Sequence, residues 1–122
     1  MKRKKQVASL SAVMARCAVS LWIWVVVPVA EAHADVLSAI ARCESRGQEY
    51  GAGGRVLRNK FNRAVVGVFQ INERVHGALA RRLGMDIYTV QGNWAYARYL
   101  LHTEGTAPWL ASKECWQRLA KR

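Results

Sequence analysis

The chain has 122 residues, of which 19 are Lys or Arg and eight are Asp or Glu, so its formal net charge is +11 at neutral pH. This length holds one small domain rather than several. The positive charge favours anionic partners such as cell-wall polymers, anionic membranes or nucleic acid. Nothing in the sequence resembles a nucleic-acid-binding module, so we expect no nucleic-acid partner. A purely solubilising positive surface is the simpler alternative.

Residues 1–34 have the layout of a secretory signal peptide. A basic start precedes the apolar run Cys17–Ala30, and Ala32-His33-Ala34 fits the small-x-small rule for cleavage. The apolar run is shorter than the roughly 20 residues of a transmembrane helix. We therefore predict a leader over 1–34, a mature domain over 35–122, and export to the periplasm, cell envelope or exterior. An uncleaved anchor, which would be the protein's only membrane contact, is the alternative.

The cysteines indicate one covalent link. Cys17 belongs to the predicted leader, which leaves Cys43 and Cys115 in the mature domain. Two cysteines in an exported domain are expected to pair, and closing so long a loop contributes about 4 kcal/mol in the chain-entropy model. Two buried free thiols are the alternative. No CxxC or HxxxH spacing is present, so we expect no metal and no cofactor.

The first element of the mature domain is predicted to be a helix. Asp35 can cap it, and Val36, Ile40 and Cys43 recur on one face. Glu44 then falls near its C-terminal end. From residue 46 to residue 66 helical periodicity is lost and glycines and arginines accumulate. This segment is predicted to be a long loop, with a short hairpin near Val56–Leu57 and Val65–Val68.

Two further helices and a returning tail complete the predicted fold. The second helix runs from about Glu73 to Leu83, and the third begins after Thr89 and ends at Gly105. The apolar residues expected to face the core are Val75, Leu79 and Leu83 in the second helix and Val90, Trp94, Ala97 and Leu101 in the third. The tail brings Trp109, Cys115 and Trp116 back to the core. We predict a mostly α (α+β) domain with about three main helices, held by one disulfide.

Glu44 is the leading candidate for chemistry. Acidic residues near helix ends are usually solvated surface charges. Here, however, the neighbouring Cys43 is expected to be tethered, and the flanking helix is apolar. Apolar surroundings raise the pKa of a carboxyl group, as a general acid near neutral pH requires. Ser45 is positioned to hydrogen-bond the carboxyl and orient it.

Three motifs in order carry a family resemblance. They are Cys43-Glu44-Ser45, Gly67-Val68-Phe69-Gln70-Ile71-Asn72 and Asn93-Trp94-Ala95-Tyr96-Ala97. With these motifs the sequence resembles the lysozyme-like soluble lytic transglycosylases, most closely their small secreted members, and the related goose-type lysozymes. The resemblance covers nearly all of residues 35–122. It implies a small lysozyme-like domain that acts on the glycan strands of peptidoglycan.

The resemblance also implies the roles of individual residues. Glu44 matches the catalytic acid, which protonates the bond between N-acetylmuramic acid and N-acetylglucosamine and then helps to form a 1,6-anhydro product. The residues that match the substrate cleft are Ser45, Gly67, Val68, Phe69, Gln70, Ile71, Asn93 and Tyr96. The implied partners are the glycan strands of peptidoglycan. Anionic wall polymers are further expected partners, and the protein is expected to be a monomer.

The number of candidate catalytic carboxylates separates two enzymatic hypotheses, a transglycosylase and a hydrolase. Most glycoside hydrolases use two carboxylates. Glu49 and Glu73 are the nearest candidates for a second one, and neither is convincing, while Val65 stands where relatives often have an acid. The sequence therefore favours a one-carboxylate transglycosylase. The alternatives are a hydrolytic muramidase, a catalytically idle basic wall-binding module, and a basic protein that disrupts membranes.

Overall fold

The structure, a computed structural model, describes residues 29–121 and has the expected mostly α architecture. The four α-helices are α1 (Val29–Ser45), α2 (Glu73–Arg82), α3 (Val90–Glu104) and α4 (Lys113–Ala120). Short 3-10 helices cover Ala52–Gly54 and Ala107–Ser112, and the two strands are β1 (Val65–Val66) and β2 (Ile71–Asn72). The fold class is thus confirmed, with a fourth helix that the sequence did not predict. Within the described range, no helix is both long enough and apolar enough to cross a membrane.

The first helix begins earlier than predicted. Asp35 is not its cap, because α1 already runs from Val29. The sequence between Val29 and Asp35 is rich in alanine, the residue with the highest helix propensity, so nothing local stops the helix there. Most of the predicted leader, 1–34, lies outside the described residues, and its removal stays a prediction.

The disulfide joins the two ends of the described fold. Cys43 near the end of α1 is bonded to Cys115 in α4, with the two Cα atoms 6.0 Å apart and a sequence separation of 72. This confirms the predicted pairing. Around it, α4 and the preceding 3-10 helix pack along α1. Leu37 and Ile40 of α1 are fully buried against Trp116 and the rest of the core.

The helical faces differ from the predicted ones. In α2, Val75 is 67% exposed and Leu83, just after the helix, is 41% exposed, while Ala80 is buried. The expectation that Val75 and Leu83 face inward is therefore wrong. In a ten-residue helix, counting apolar positions does not fix which face is covered. In α3 the buried set is Asn93, Tyr96, Ala97 and Leu100. Because the polar residue Asn93 faces the core, the buried face of α3 is rotated relative to the predicted face.

The hairpin begins at Val65, which is later in the chain than the start of the predicted hairpin near Val56–Leu57. Val65 pairs with Asn72 and Val66 with Ile71, so residues 67–70 form the turn between β1 and β2. The segment near Val56 contributes only isolated bridges, Tyr50 with Val56 and Arg58 with Val66. The Gly-x-Phe-Gln sequence is therefore a hairpin turn and not an open strand.

The disulfide should carry a large share of the stability. Replacing both Cys43 and Cys115 with serine should lower the free energy of unfolding by about 4 kcal/mol, because the unfolded chain regains the entropy of a long loop. Denaturant unfolding of wild type and double variant measures this, and peptide mapping without reductant should recover Cys43 joined to Cys115. Equal unfolding midpoints for oxidised wild type and double variant would contradict a stabilising link.

Candidate active site

Glu44 sits in the last turn of α1, where the chain reverses sharply. Arg46 and Gly47 both adopt left-handed conformations, with φ of 59° and 73°. The backbone N–H of Gly47 donates to the carbonyl of Ala41 at 3.1 Å, which closes the helix end. Left-handed backbone is uncommon for a residue other than glycine, so the turn at Arg46 is a defined feature. It leaves Glu44 half-buried at the end of the helix.

The hydroxyl that holds Glu44 comes from the other end of the domain. Ser112 donates to Oε1 of Glu44 at 2.5 Å. The expected partner, Ser45, is buried and donates instead to the carbonyl of Ala41 at 3.0 Å, within its own helix. Ser112 lies three residues before Cys115, and Glu44 directly follows Cys43. The disulfide therefore brings the carboxyl and the hydroxyl together.

Ser112 has a second acceptor within reach. Its Oγ lies 3.3 Å from the carbonyl oxygen of Trp109, which also accepts from the indole N–H of Trp116 at 3.0 Å. A hydroxyl donates one hydrogen and accepts others. With Glu44 ionised, Ser112 donates to the carboxylate. With Glu44 protonated, the carboxyl can donate to Ser112 while Ser112 donates to Trp109. The same pair of side chains can thus stay hydrogen-bonded in both protonation states.

Burial raises the pKa of Glu44 above its usual range, and the hydrogen bond from Ser112 lowers it in part. Burial acts because it disfavours the charged carboxylate, whereas a donor to the carboxylate favours it. The net increase means that Glu44 keeps its proton to higher pH than an ordinary glutamate does. This is the property required of a general acid.

Ser112→Ala should raise the pKa of Glu44 further, because the variant loses a donor that stabilises the carboxylate. The pKa can be read from the side-chain carboxyl ¹³C shift of Glu44 during a pH titration. Ser45→Ala is the matched control and should leave that pKa unchanged, since the Ser45 hydroxyl donates to Ala41. A lower pKa in Ser112→Ala, or an equal shift in both variants, would contradict this assignment.

The predicted substrate strip is mostly buried. Gly67, Val68, Phe69 and Ile71 all belong to the buried interior, and Phe69 packs edge-on against Trp94 with ring centroids 4.7 Å apart. At Gly67, which has φ of 75°, any side chain would collide with the carboxamide of Asn93. These residues form the support of the hairpin turn.

Gln70 is the member of the strip that is partly exposed. It adopts a positive φ of 50°. Its side chain donates to the Gly67 carbonyl at 2.9 Å and accepts from Asn59 at 3.0 Å. This carboxamide is fixed by two contacts and remains half-exposed, so of the strip it is the best placed to meet a ligand.

Asn93 and Tyr96 were expected to contact substrate across the cleft, and the structure places both in the interior. Asn93 is 1% exposed; it accepts from the Phe69 N–H at 2.9 Å and donates to the carbonyls of Ile87 at 2.9 Å and Val66 at 3.3 Å. Asn93 thereby ties α3 to the hairpin turn.

Tyr96 is fully buried, and its hydroxyl lies 3.1 Å from Nδ1 of His76, which links α3 to α2. Its ring stacks on that of Tyr99, with centroids 5.6 Å apart. The phenol thus has an internal partner and does not line an open surface.

Asn93→Ala should lower the free energy of unfolding by about 2–4 kcal/mol, because it leaves buried backbone groups at both ends of the contact without partners. Denaturant unfolding measures this change. Gln70→Ala serves as the comparison: it removes a half-exposed side chain from the same turn and should cost less. A stability loss for Asn93→Ala no larger than that for Gln70→Ala would show that Asn93 is not the structural tie.

The carboxylates considered as a second catalytic group are not hydrogen-bonded to Glu44. Glu73 forms an ion pair with Arg58 at 3.0 Å, and this hydrogen bond lowers the pKa of Glu73. Glu49 is exposed, and Val65 is half-buried on β1. Within residues 29–121, the hydrogen-bond partner of Glu44 is Ser112, and no other acidic side chain bonds to it. The same residues contain no cluster of three or more metal-binding side chains.

Sequence reasoning missed Ser112 because a lone serine before a helix has no distinctive pattern. The predicted disulfide was the available signal: it placed the neighbours of Cys115 close to Glu44, and Ser112 is a polar residue among them. Trp109 and Trp116 behave as core residues. Trp109 donates through its indole N–H to the Phe69 carbonyl at 3.1 Å, which connects the hairpin turn to the segment carrying Ser112.

The fold and site define a small, disulfide-linked helical domain with one half-buried carboxyl at a helix end. No protein-family model matches the sequence, and comparisons with curated proteins and with solved structures also give no match.

Proposed function

We propose that the protein is an exported lytic transglycosylase that cleaves the β-1,4 bond between N-acetylmuramic acid and N-acetylglucosamine in peptidoglycan. The observation that carries the proposal is Glu44 itself: half-buried, with a raised pKa and a hydroxyl partner. The local motifs of the lysozyme-like transglycosylases point to the same residue.

In the first step Glu44 acts as the acid. Its carboxyl proton passes to the glycosidic oxygen, and the bond between the muramoyl C1 and that oxygen breaks. The N-acetylglucosamine unit leaves with a new hydroxyl, and positive charge develops at C1. Burial supports this step because it raises the pKa of the Glu44 carboxyl, which therefore keeps its proton to higher pH than an exposed glutamate does.

In the second step the same group acts as the base. The Glu44 carboxylate removes the proton of the muramoyl C6 hydroxyl, and O6 bonds to C1, which closes the 1,6-anhydro ring. Glu44 ends protonated, no water is consumed, and no second carboxylate is required. Ser112 supports a residue that alternates between acid and base, because the hydroxyl can donate to the ionised form and accept from the protonated form.

The charge of the domain agrees with an anionic wall as its target. Residues 35–122 keep seven of the eleven net positive charges. A basic surface raises the local concentration of the protein on an anionic polymer and speeds association. The disulfide is the kind of link that persists in oxidising compartments outside the cytosol, which supports export.

Glu44→Gln should reduce the release of soluble muropeptides from purified sacculi by at least about 100-fold, since general acid–base catalysis is lost. Mass spectrometry of wild-type products should show 1,6-anhydro ends, one water lighter than reducing ends. Binding of the variant to sacculi should persist. Its fold should also persist, because a carboxamide of nearly the same size fits the half-buried position and carries no charge to bury.

The other outcomes identify the alternatives. Reducing ends would show a hydrolytic muramidase that uses the same acid. Binding of wild type to sacculi without release under any condition would show a catalytically idle wall-binding module. Full activity of Glu44→Gln would refute the assigned role of this carboxyl. Leakage of anionic liposomes that survives Glu44→Gln would indicate a membrane-directed protein.

A further inference from the structure

A concave groove lined by three arginines lies in the loop region after α1. It has a volume of about 680 Å³, and Arg55, Arg58 and Arg63 line it together with Gln48 and Tyr88. This volume lies within the roughly 300–1,000 Å³ that is usual for small-ligand sites. The sequence predicts a basic loop here, either solvated or in contact with anionic wall polymers, and Glu44 is not among the residues that line the groove.

The side chain of Arg58 forms one wall of the groove and is held in place by its neighbours. Its guanidinium donates to the carbonyl of Arg63 at 2.6 Å and to Glu73 at 3.0 Å. The ring of Tyr88 lies beneath it, with the guanidinium carbon 5.8 Å from the ring centroid. Contacts on three sides fix this side chain before any ligand arrives, which reduces the entropy that binding would cost.

Arg55 and Arg63 supply the charge that is not neutralised. Both are exposed, and within residues 29–121 neither lies within ion-pair distance of an acidic side chain. Glu73 compensates Arg58 alone, and no acidic residue lines the groove. The groove therefore presents two uncompensated guanidinium groups, and these bind planar oxyanions through paired hydrogen bonds.

The turn that carries Arg55 is itself well defined. The backbone N–H of Gly51 donates to the Arg55 carbonyl at 2.8 Å, and Tyr50 bridges to Val56 directly beyond it. Gly53 and Gly54 inside this turn have φ of 68° and 70°. Arg55 is thus held at the groove by a closed five-residue turn, not by a loose segment.

We propose that this groove binds a short peptide that carries carboxylate groups, the chemical class of the stem peptides attached to wall glycans. This substrate class rests on the proposed function. The arginines would bind the carboxylates, and the apolar side chains of Val56 and Leu57, which also line the groove, would contact the aliphatic parts of the peptide. A phosphate polymer lacks side chains for such apolar contacts, and an open basic surface suffices for it.

The groove adjoins the catalytic end of α1. Gln48, one of its lining residues, lies four residues after Glu44, and its backbone N–H donates to the Ser45 carbonyl at 3.0 Å. Four residues of chain span at most about 14 Å, the reach of a peptide of four or five residues. A peptide on the wall polymer can therefore occupy the groove while a glycan strand meets Glu44.

The test uses the free stem tetrapeptide L-Ala-γ-D-Glu-diaminopimelate-D-Ala, which contains no bond for Glu44 to cleave. NMR titration of the wild-type protein should give saturable shifts at the backbone amides of Gln48 and Tyr88. Arg55→Gln/Arg63→Gln should weaken binding at least about tenfold, because two charge-assisted contacts are lost. Arg42→Gln/Arg98→Gln removes the same charge from exposed positions outside the groove and should change the affinity less than about twofold. A peptide with amidated carboxyl groups should bind to the wild-type protein as weakly as the unmodified tetrapeptide binds to Arg55→Gln/Arg63→Gln.

Three results would overturn the inference: no saturable binding of the tetrapeptide, equal loss in both double variants, or binding of inorganic polyphosphate in its place. Release of 1,6-anhydro products without peptide binding would refute the groove and leave the proposed function standing. Peptide binding at the groove without any release of products would refute the proposed function and leave the groove standing.

Discussion

The bond between Cys43 and Cys115 is the constraint on which the rest of the structure depends. It joins the end of α1 to α4 across 72 residues of chain. The residues on either side of it are the ones that form the site: Glu44 follows the first cysteine, and Ser112 precedes the second by less than one helical turn. In a domain with so small a core, a covalent link is an effective way to fix two distant segments. The same bond thus serves stability and the placement of the carboxyl.

A continuous set of hydrogen bonds extends from this link into the hairpin. Phe69 accepts from the indole of Trp109, and the carbonyl of Trp109 lies within reach of Ser112, the partner of Glu44. The turn at residues 67–70 therefore supports the site through its backbone, while its side chains are largely occupied in packing. Asn93 secures the turn from the opposite side. The motif residues and the carboxyl are thus parts of one framework, although most of the motif residues are buried.

Much of this framework could be predicted from the sequence. The fold class, the disulfide and the starts of α2 at Asn72–Glu73 and of α3 at Thr89–Val90 follow from periodicity, capping and cysteine number. The roles of Asn93 and Ser112 could not be predicted. Both depend on contacts between segments far apart in the chain, and a polar residue on a helix is usually exposed. The resemblance to the transglycosylases predicted Asn93 as a substrate contact, whereas its hydrogen bonds with Phe69 and Ile87 give it a structural role.

The dependence on one covalent bond also determines when the site exists. The helices need only their own sequence and a core to form, whereas the meeting of Glu44 with Ser112 needs α1 and α4 held together. A chain with both thiols reduced lacks that restraint. Assembly of the carboxyl with its partner is thereby coupled to oxidation of the two thiols.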